Sequence, residues 1–525
     1  MTTTTAKLVR AVSRAYARPL AMPLALAALL AAPAARADWK FVPTLDVRET
    51  YTDNIALRPD NEKQGQFVTE ITPGFVLRHR GPSLNVNANF QLQYFGMPGR
   101  DVDGINRVAR NGQANLRARL IDELLYVDAA GSIANQGISP FGQRVDESNN
   151  YLAANRAQVT SWRISPYLVH RFGNTANAEM RYTRDEVDAG RVGLGNTQGD
   201  TLQMSVNSGP AWRTWGWGVQ LSEQQVHEEQ ATDTTIKNAS STLRYRVSPN
   251  LNLTTTLGYD QYDYQSLGGA TGGRAWNAGF AWAPSPRTSL QATYGRRYYG
   301  PSGSLIALHR SRHTVWSINY DDSVTSTRAN FLLPAAIDTA SMLDRLFTPN
   351  YADPAERARA VEQYIRSAGL PASLANNVNF FSNRYSLQRQ LRASMAYRES
   401  RTSAVFSLYR VRREALSVRT TDSPLLGTSI NTVNDDTDQT GVNVNLNYRL
   451  SPRTSLNMIS DIGRSESLSS GIDSRISSVR FGMRHQLATK LTGVLELRHV
   501  KGSLGLANGQ SYTENAVTAS LSMQL

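Results

Sequence analysis

The stretch Leu84-Asn85-Val86-Asn87-Ala88-Asn89-Phe90-Gln91-Leu92-Gln93-Tyr94 alternates apolar and amide side chains without a break. Successive side chains of a β-strand point to opposite faces, so this segment as a strand has one apolar face and one polar face. At 40% apolar composition, such a window arises by chance about 3 times in 10,000. The period recurs. Trp215, Trp217, Val219 and Leu221 alternate with Gly216, Gly218 and Gln220. Leu251, Leu253, Leu257 and Tyr259 form another set, as do Trp276, Ala278, Phe280 and Trp282, and Val442, Val444, Leu446, Tyr448 and Leu450. The alternation runs to the end of the chain, through Val517, Ala519, Leu521, Met523 and Leu525.

Segments of about 10 to 14 residues are long for soluble strands but suit tilted strands crossing a bilayer. Aromatic residues sit near segment ends, as an interfacial girdle requires. Short turns, such as His79-Arg80-Gly81-Pro82, Phe172-Gly173-Asn174-Thr175 and Ser451-Pro452-Arg453, alternate with longer polar loops at 53–64, 98–111, 136–154, 186–199, 265–274 and 414–436. The fold class is therefore all-β: a single large transmembrane antiparallel β-barrel. Strands are expected near 40–52, 65–78, 83–96, 112–121, 123–135, 156–171, 175–187, 199–208, 211–224, 235–247, 251–263, 273–283, 287–298, 310–321, 323–332, 385–398, 401–413, 438–450, 453–466, 473–485, 489–501 and 513–525. That is about 22, within a range of roughly 20 to 24, and an even count puts both termini on the periplasmic side.

Residues 333–384 break the period. Asp353-Pro354 reads as an N-cap with Pro at the first helical position, and Ala355–Ser367 as helix. This helical insertion is expected to cap the outer mouth or fold inward as a plug. At the other end of the chain, Lys7, Arg10, Arg14 and Arg18 precede an apolar run and the small-x-small pattern Ala35-Arg36-Ala37. Residues 1–37 read as an export signal. Its removal leaves residues 38–525 as the barrel and lowers the net charge from +13 to +8.

Composition excludes several function classes. With no cysteine there is no disulfide framework, thiolate metal site or cysteine nucleophile. A mean hydropathy of −0.40 excludes a polytopic helical membrane protein. Mild positive charge on an exported barrel does not point to nucleic acid.

Several blocks, in order, resemble the outer-membrane β-barrel family associated with PEP-CTERM/exosortase and exopolysaccharide loci. They are Glu49-Thr50-Tyr51-Thr52-Asp53-Asn54-Ile55; Leu125-Tyr126-Val127-Asp128-Ala129 followed by Ser139-Pro140-Phe141-Gly142; and Ser165-Pro166-Tyr167 through Arg171-Phe172-Gly173. Then come Arg296-Arg297-Tyr298-Tyr299-Gly300-Pro301 with His309-Arg310-Ser311-Arg312, and Leu387-Gln388-Arg389-Gln390-Leu391 after the helical insertion. The resemblance implies a cell outer membrane component of polysaccharide production or export in a Gram-negative envelope, without known catalytic residues.

Arginine carries the polar chemistry, since only six of the 56 basic residues are Lys. Arg163, Arg181, Arg244 and Arg392 fall in the polar phase and are candidate lumen-lining groups, as are Arg117, Arg119, Arg171, Arg246 and Arg449. Arg296, Arg310 and Arg312 fall in the apolar phase near strand ends and are expected to ring the outer mouth. Arginine forks bind carboxylates and sugar hydroxyls, and rings of arginine favour anions. Cross-lumen pairing with Asp and Glu is the alternative. Trp162, Trp215, Trp217, Trp276, Trp282 and Trp316 point to lipid as girdle anchors, which leaves Tyr298, Tyr299 and Phe141 as glycan-contact candidates. Asp53 and Asn54 read as a cation site or an Asx-type turn. His309 and His313, expected on one strand face about 13 Å apart, cannot share a metal. The expectation is a non-enzymatic barrel with no cofactor or metal, embedded in outer-membrane lipid. It would meet exopolysaccharide, periplasmic export components and the barrel-assembly machinery. A closed structural or assembly barrel and an anion-preferring porin are the alternatives.

Overall fold

The computed structural model describes residues 39–524 except 99–103, 144–148, 191–195, 229–232, 333–380, 383, 419–433 and 506–508. The export signal 1–37, the helix expected at Ala355–Ser367 and most of the 333–384 insertion lie outside the described residues. Twenty-two strands are present among them. The first eleven are β1 (Trp39–Thr52), β2 (Gln66–Arg80), β3 (Leu84–Gly96), β4 (Val108–Ile121), β5 (Leu125–Gly137), β6 (Arg156–Phe172), β7 (Ala176–Asp188), β8 (Thr197–Ser208), β9 (Trp215–Glu228), β10 (Thr234–Ser248) and β11 (Leu251–Tyr262). The rest are β12 (Gly272–Ser285), β13 (Thr288–Arg297), β14 (Gly300–Arg310), β15 (Thr314–Thr325), β16 (Ser386–Arg398), β17 (Thr402–Ala415), β18 (Thr437–Ser451), β19 (Thr454–Ser467), β20 (Asp473–Ala488), β21 (Leu491–Leu504) and β22 (Gln510–Gln524). Each pairs antiparallel with the next. Pairing of β1 with β22, from Thr44 opposite Gln524 to Thr52 opposite Ala516, closes the barrel and leaves no sheet edge.

The diagnostic stretch lies in β3, and its two faces part as the period requires. Tyr94 is exposed on the outer wall, where Phe41, Phe75 and Phe90 form an aromatic ladder with ring centroids 5.5 and 6.1 Å apart. On the inner face, Gln93 donates to Glu70 and accepts from Asn150, each at 2.8 Å. The outer wall carries two aromatic belts. Trp39, Trp215, Trp282 and Trp316 lie toward the short-turn end, and Tyr51, Tyr94, Tyr259 and Trp276 toward the long-loop end, all exposed. Covering such a side chain with hydrocarbon contributes about 1.5–3 kcal/mol, so lipid, not an internal apolar core, supplies the driving force for the wall.

The expected count of 22 is met, but the boundaries after β13 are corrected. A two-residue connection, Tyr298-Tyr299, leads into β14, with Gly300 taking φ +122°, a region open to glycine. β14 escapes the period-two reading because it opens Gly-Pro-Ser-Gly, and because Ile306 and Leu308 share the inner face with Ser304 and Arg310. The segment expected as a strand at 323–332 instead ends β15 at Thr325 and enters a short helix, α1 (Thr327–Leu332). One strand is gained and one lost, so parity survives. The swap turns the local orientation over. Arg310 and Arg312 lie at the short-turn end, beside the termini, and His313 is in the turn after β14, not on a strand face with His309.

Candidate functional site

The functional surface is the lumen and its two mouths. At the long-loop mouth, described parts of several connections fold inward. Residues 326–332 leave β15, and α1 packs on β6 and β7, nearly opposite in a barrel roughly 40 Å wide by strand count and spacing. Arg328 anchors it. Its Nε donates to Asp185 Oδ2 at 2.7 Å and its Nη2 to Oδ1, with both side chains 4% exposed. Gly199, opposite Asp185 on β8, makes room, because a Cβ there would collide with the Arg328 guanidinium. Phe331 packs against Phe381 with tilted rings, centroids 5.0 Å apart, and Phe381 joins Ala157, Val159, Val187 and Ala189 in a small apolar core inside the wall. The described end of the 333–384 insertion, at Phe381, is thus folded inward.

Other segments lock onto this one. Asn434, which precedes β18, accepts from Ser139 Oγ at 2.9 Å and donates to the Phe381 carbonyl at 3.3 Å. Arg384 pairs with Asp435 at 3.0 Å. The β11–β12 connection reaches the chain after β17, with Val418 N donating to the Gln265 carbonyl at 2.7 Å. There Tyr264 stacks on Tyr385 at 5.2 Å, and its hydroxyl lies 3.2 Å from that of Tyr298. Burial pushes the Tyr385 phenol up to about 12 and raises Tyr264 and Tyr298, so the cluster is uncharged. A second apolar core, built from Ile55, Leu57, Tyr151 and Leu152 against Val68, Phe95, Val500 and Tyr512, fills the mouth beside β1 and β22.

Along the lumen, many arginines are paired. Arg48 meets Glu70 at 3.1 Å, Arg498 meets Glu514 at 2.7 Å and Arg297 meets Asp260 at 2.9 Å. Arg117 and Arg181 share Asp128, at 2.9 and 3.2 Å, and Arg181 also lies 3.8 Å over the Tyr167 ring. At the short-turn mouth the pairing is only partial, with Arg119 meeting Asp122 at 2.7 Å. Lys40, Arg80, Arg171, Arg244, Arg246 and Arg310 face inward by register, and none has a carboxylate within 4.0 Å among the described residues.

The sequence-derived candidates divide accordingly. Arg163 faces inward opposite Asp185, Arg244 lies over Gly216, and Arg392 is buried opposite Asn319. Arg296 stands opposite Trp276 on the outer wall at the long-loop end, in the apolar phase expected of it, and is corrected only as a candidate for lining the lumen. Arg310 does line it, but at the short-turn mouth, and Arg312 sits in the adjoining turn. Phe141 is fully buried and cannot contact a glycan. Gly142 abuts Asn155, where a Cβ would clash. Pro140 begins the same packed loop, and Pro166 and Tyr167 lie within β6. Tyr51 packs against Phe67 on the outer wall, with tilted rings and centroids 4.9 Å apart. Asn54 holds its own loop, accepting from Arg58 N at 2.9 Å and donating to the Thr513 carbonyl at 2.9 Å, while Asp53 accepts from Asn515 N at 2.7 Å. Both therefore close a turn onto β22. Gly300 and Pro301 open β14, and His309 faces outward, its ring 2.9 Å from Thr288 Oγ1. Sequence reasoning missed Arg328, Asp185 and Asn434. No local pattern could have found a pair separated by 143 positions.

No family model matches the chain, and no curated protein matches it significantly. Among solved structures, it is similar to the siderophore receptor PirA from Pseudomonas aeruginosa, at 10% identity, covering 94% of this chain and 81% of that one with a TM-score of 0.45. It is also similar to a point mutant of the Pseudomonas aeruginosa ferric enterobactin receptor PfeA in complex with enterobactin, at 10% identity, with 94% and 82% covered and a TM-score of 0.47. A third is Pseudomonas aeruginosa OccK8 (OprE), at 11% identity, with 93% and 98% covered and a TM-score of 0.33.

Proposed function

We propose that this chain is a non-enzymatic barrel of the Gram-negative outer membrane that serves passage or surface retention of an exopolysaccharide. One observation carries the passage half: a polar, arginine-bearing lumen whose long-loop mouth is crossed by segments anchored on the opposite wall. Anchored insertions of this kind can gate a lumen, because their release changes the open cross-section without disturbing the hydrogen-bonded wall. The ordered motif blocks of the sequence support the polysaccharide half. Both termini face the periplasm in this reading, with the long loops outside. Outer-membrane lipid, periplasmic export components and the barrel-assembly machinery are its partners.

Single-channel recording in planar bilayers tests it. The wild-type barrel is expected to conduct in small or intermittent steps, and Arg328→Ala, or deletion of 333–380, in larger ones. A barrel that never conducts, even after that deletion, sinks the passage reading. It would leave a closed structural or assembly barrel, which the interlock around Asn434 favours. Full conductance in the wild type, indifferent to Arg328, would point to an open, anion-preferring porin.

A further inference from the structure

We infer that the short-turn mouth of the lumen is a binding vestibule for a polyanionic glycan, a chain carrying repeated carboxylate or phosphate groups. The inference names the cargo class of the proposed function and rests on that reading for the direction of travel.

Three observations carry it. First, charge pairing changes along the lumen. Arg48, Arg297 and Arg498, away from this mouth, are neutralised by Glu70, Asp260 and Glu514, whereas Lys40, Arg80, Arg171, Arg244, Arg246 and Arg310 have no carboxylate within reach among the described residues. Carboxylates near this rim are engaged by other groups: Asp122 by Arg119 at 2.7 Å, Asp128 by Arg117 and Arg181, and Glu399 by the Tyr397 hydroxyl.

Second, these cations face the lumen. The outer wall at the same level carries Trp39, Phe41, Trp215 and Trp316, all exposed, so phospholipid headgroups meet the aromatic belt and not the ring. Third, the cations are spread over β1, β2, β6, β10 and β14. In a lumen roughly 40 Å wide they cannot converge on one small anion. A chain with repeated charges can touch several at once, and linked weak contacts multiply. Arginine forks supply bidentate, charge-assisted hydrogen bonds to such groups.

The test uses the full barrel, refolded in detergent, with fluorescent polygalacturonate as the polyanion and dextran of matched length as the neutral control, read by anisotropy. Polygalacturonate is expected to bind, dextran not, with affinity falling as salt rises. Combining Lys40→Gln, Arg80→Gln, Arg246→Gln and Arg310→Gln is expected to weaken binding about tenfold or more. Arg464→Gln with Arg475→Gln, on the outer wall at the far rim, is expected to leave it unchanged. Heat-modifiable electrophoretic mobility establishes that each variant is folded. If the fourfold variant does not fold, polymer added to one side of an oriented bilayer provides the second readout, with block or capture expected only from the short-turn side. Equal binding of dextran, undiminished binding by a folded fourfold variant, or capture only from the long-loop side overturns the inference. So does binding of polyglutamate without polygalacturonate, which would assign the ring to an acidic protein partner. Polyanion binding by a barrel that never conducts supports the vestibule while the passage reading fails.

Discussion

Asp185 and Arg328 show what one buried pair can decide. Each is 4% exposed, and a carboxylate stranded there without its guanidinium is poorly solvated. Removing one partner of a buried pair costs about 3–5 kcal/mol, whereas removing both costs much less. Arg328→Ala is expected to free α1 from the inner wall and lower stability to chemical unfolding in lipid vesicles. Asp185→Ala combined with Arg328→Ala should recover much of that loss. A double variant as unstable as the single would refute the assignment. Gly199→Ala should mimic Arg328→Ala, because its methyl group would occupy the guanidinium's place.

At the scale of elements, the seam between β14 and β15 is held differently from its neighbours. Backbone pairing stops at Ser304 opposite Asp321. Beyond it the Asp322 carboxylate accepts from Gly303 N at 2.7 Å, Ser302 Oγ at 2.6 Å and Tyr299 Oη at 3.0 Å, replacing ladder bonds with side-chain ones. Asp322→Ala leaves three donors to find water, at about 1–3 kcal/mol for each that stays buried. Faster hydrogen exchange at the Gly303 amide is the expected signature, and unchanged exchange would argue against it. The loop after β1 docks on β22 by a pH-dependent contact. Asp60 accepts from Thr513 N and Oγ1 at 2.9 and 2.8 Å beside Lys63, which holds its carboxyl below the ordinary 3.8. A depressed folded-state value means that the contribution is present above the ordinary value and is lost as pH falls through the depressed one. Protection of the Thr513 amide should therefore fall on acidification below 3.8 and persist above it.

For the whole molecule, the outer wall predicts how the barrel sits in lipid. Trp39, Trp215, Trp282 and Trp316 share the short-turn belt and face outward, so lipids brominated near the headgroup should quench them. A soluble quencher restricted to the lumen should not. Replacing each in turn with Phe should remove its share of the lipid quenching while leaving the fold intact. Lumen quenching equal to lipid quenching would reverse the assignment of faces.

The strand count, the facing of each residue and the polar character of the lumen were legible in the sequence because alternation is local: a period of two fixes inside and outside one residue at a time. Legibility failed at β14, where small residues and an inward Ile306 blur the alternation. That slip carried Arg310 and Arg312 to the wrong mouth and Arg310 to the wrong phase. The residues that cross the lumen, and the change from paired to unpaired arginines along it, were decided by tertiary structure alone. Arg328 and Asp185, or Asn434 and Ser139, have no relation along the chain. Which arginines meet a carboxylate depends on strand register and barrel closure, and closure brings together residues hundreds of positions apart.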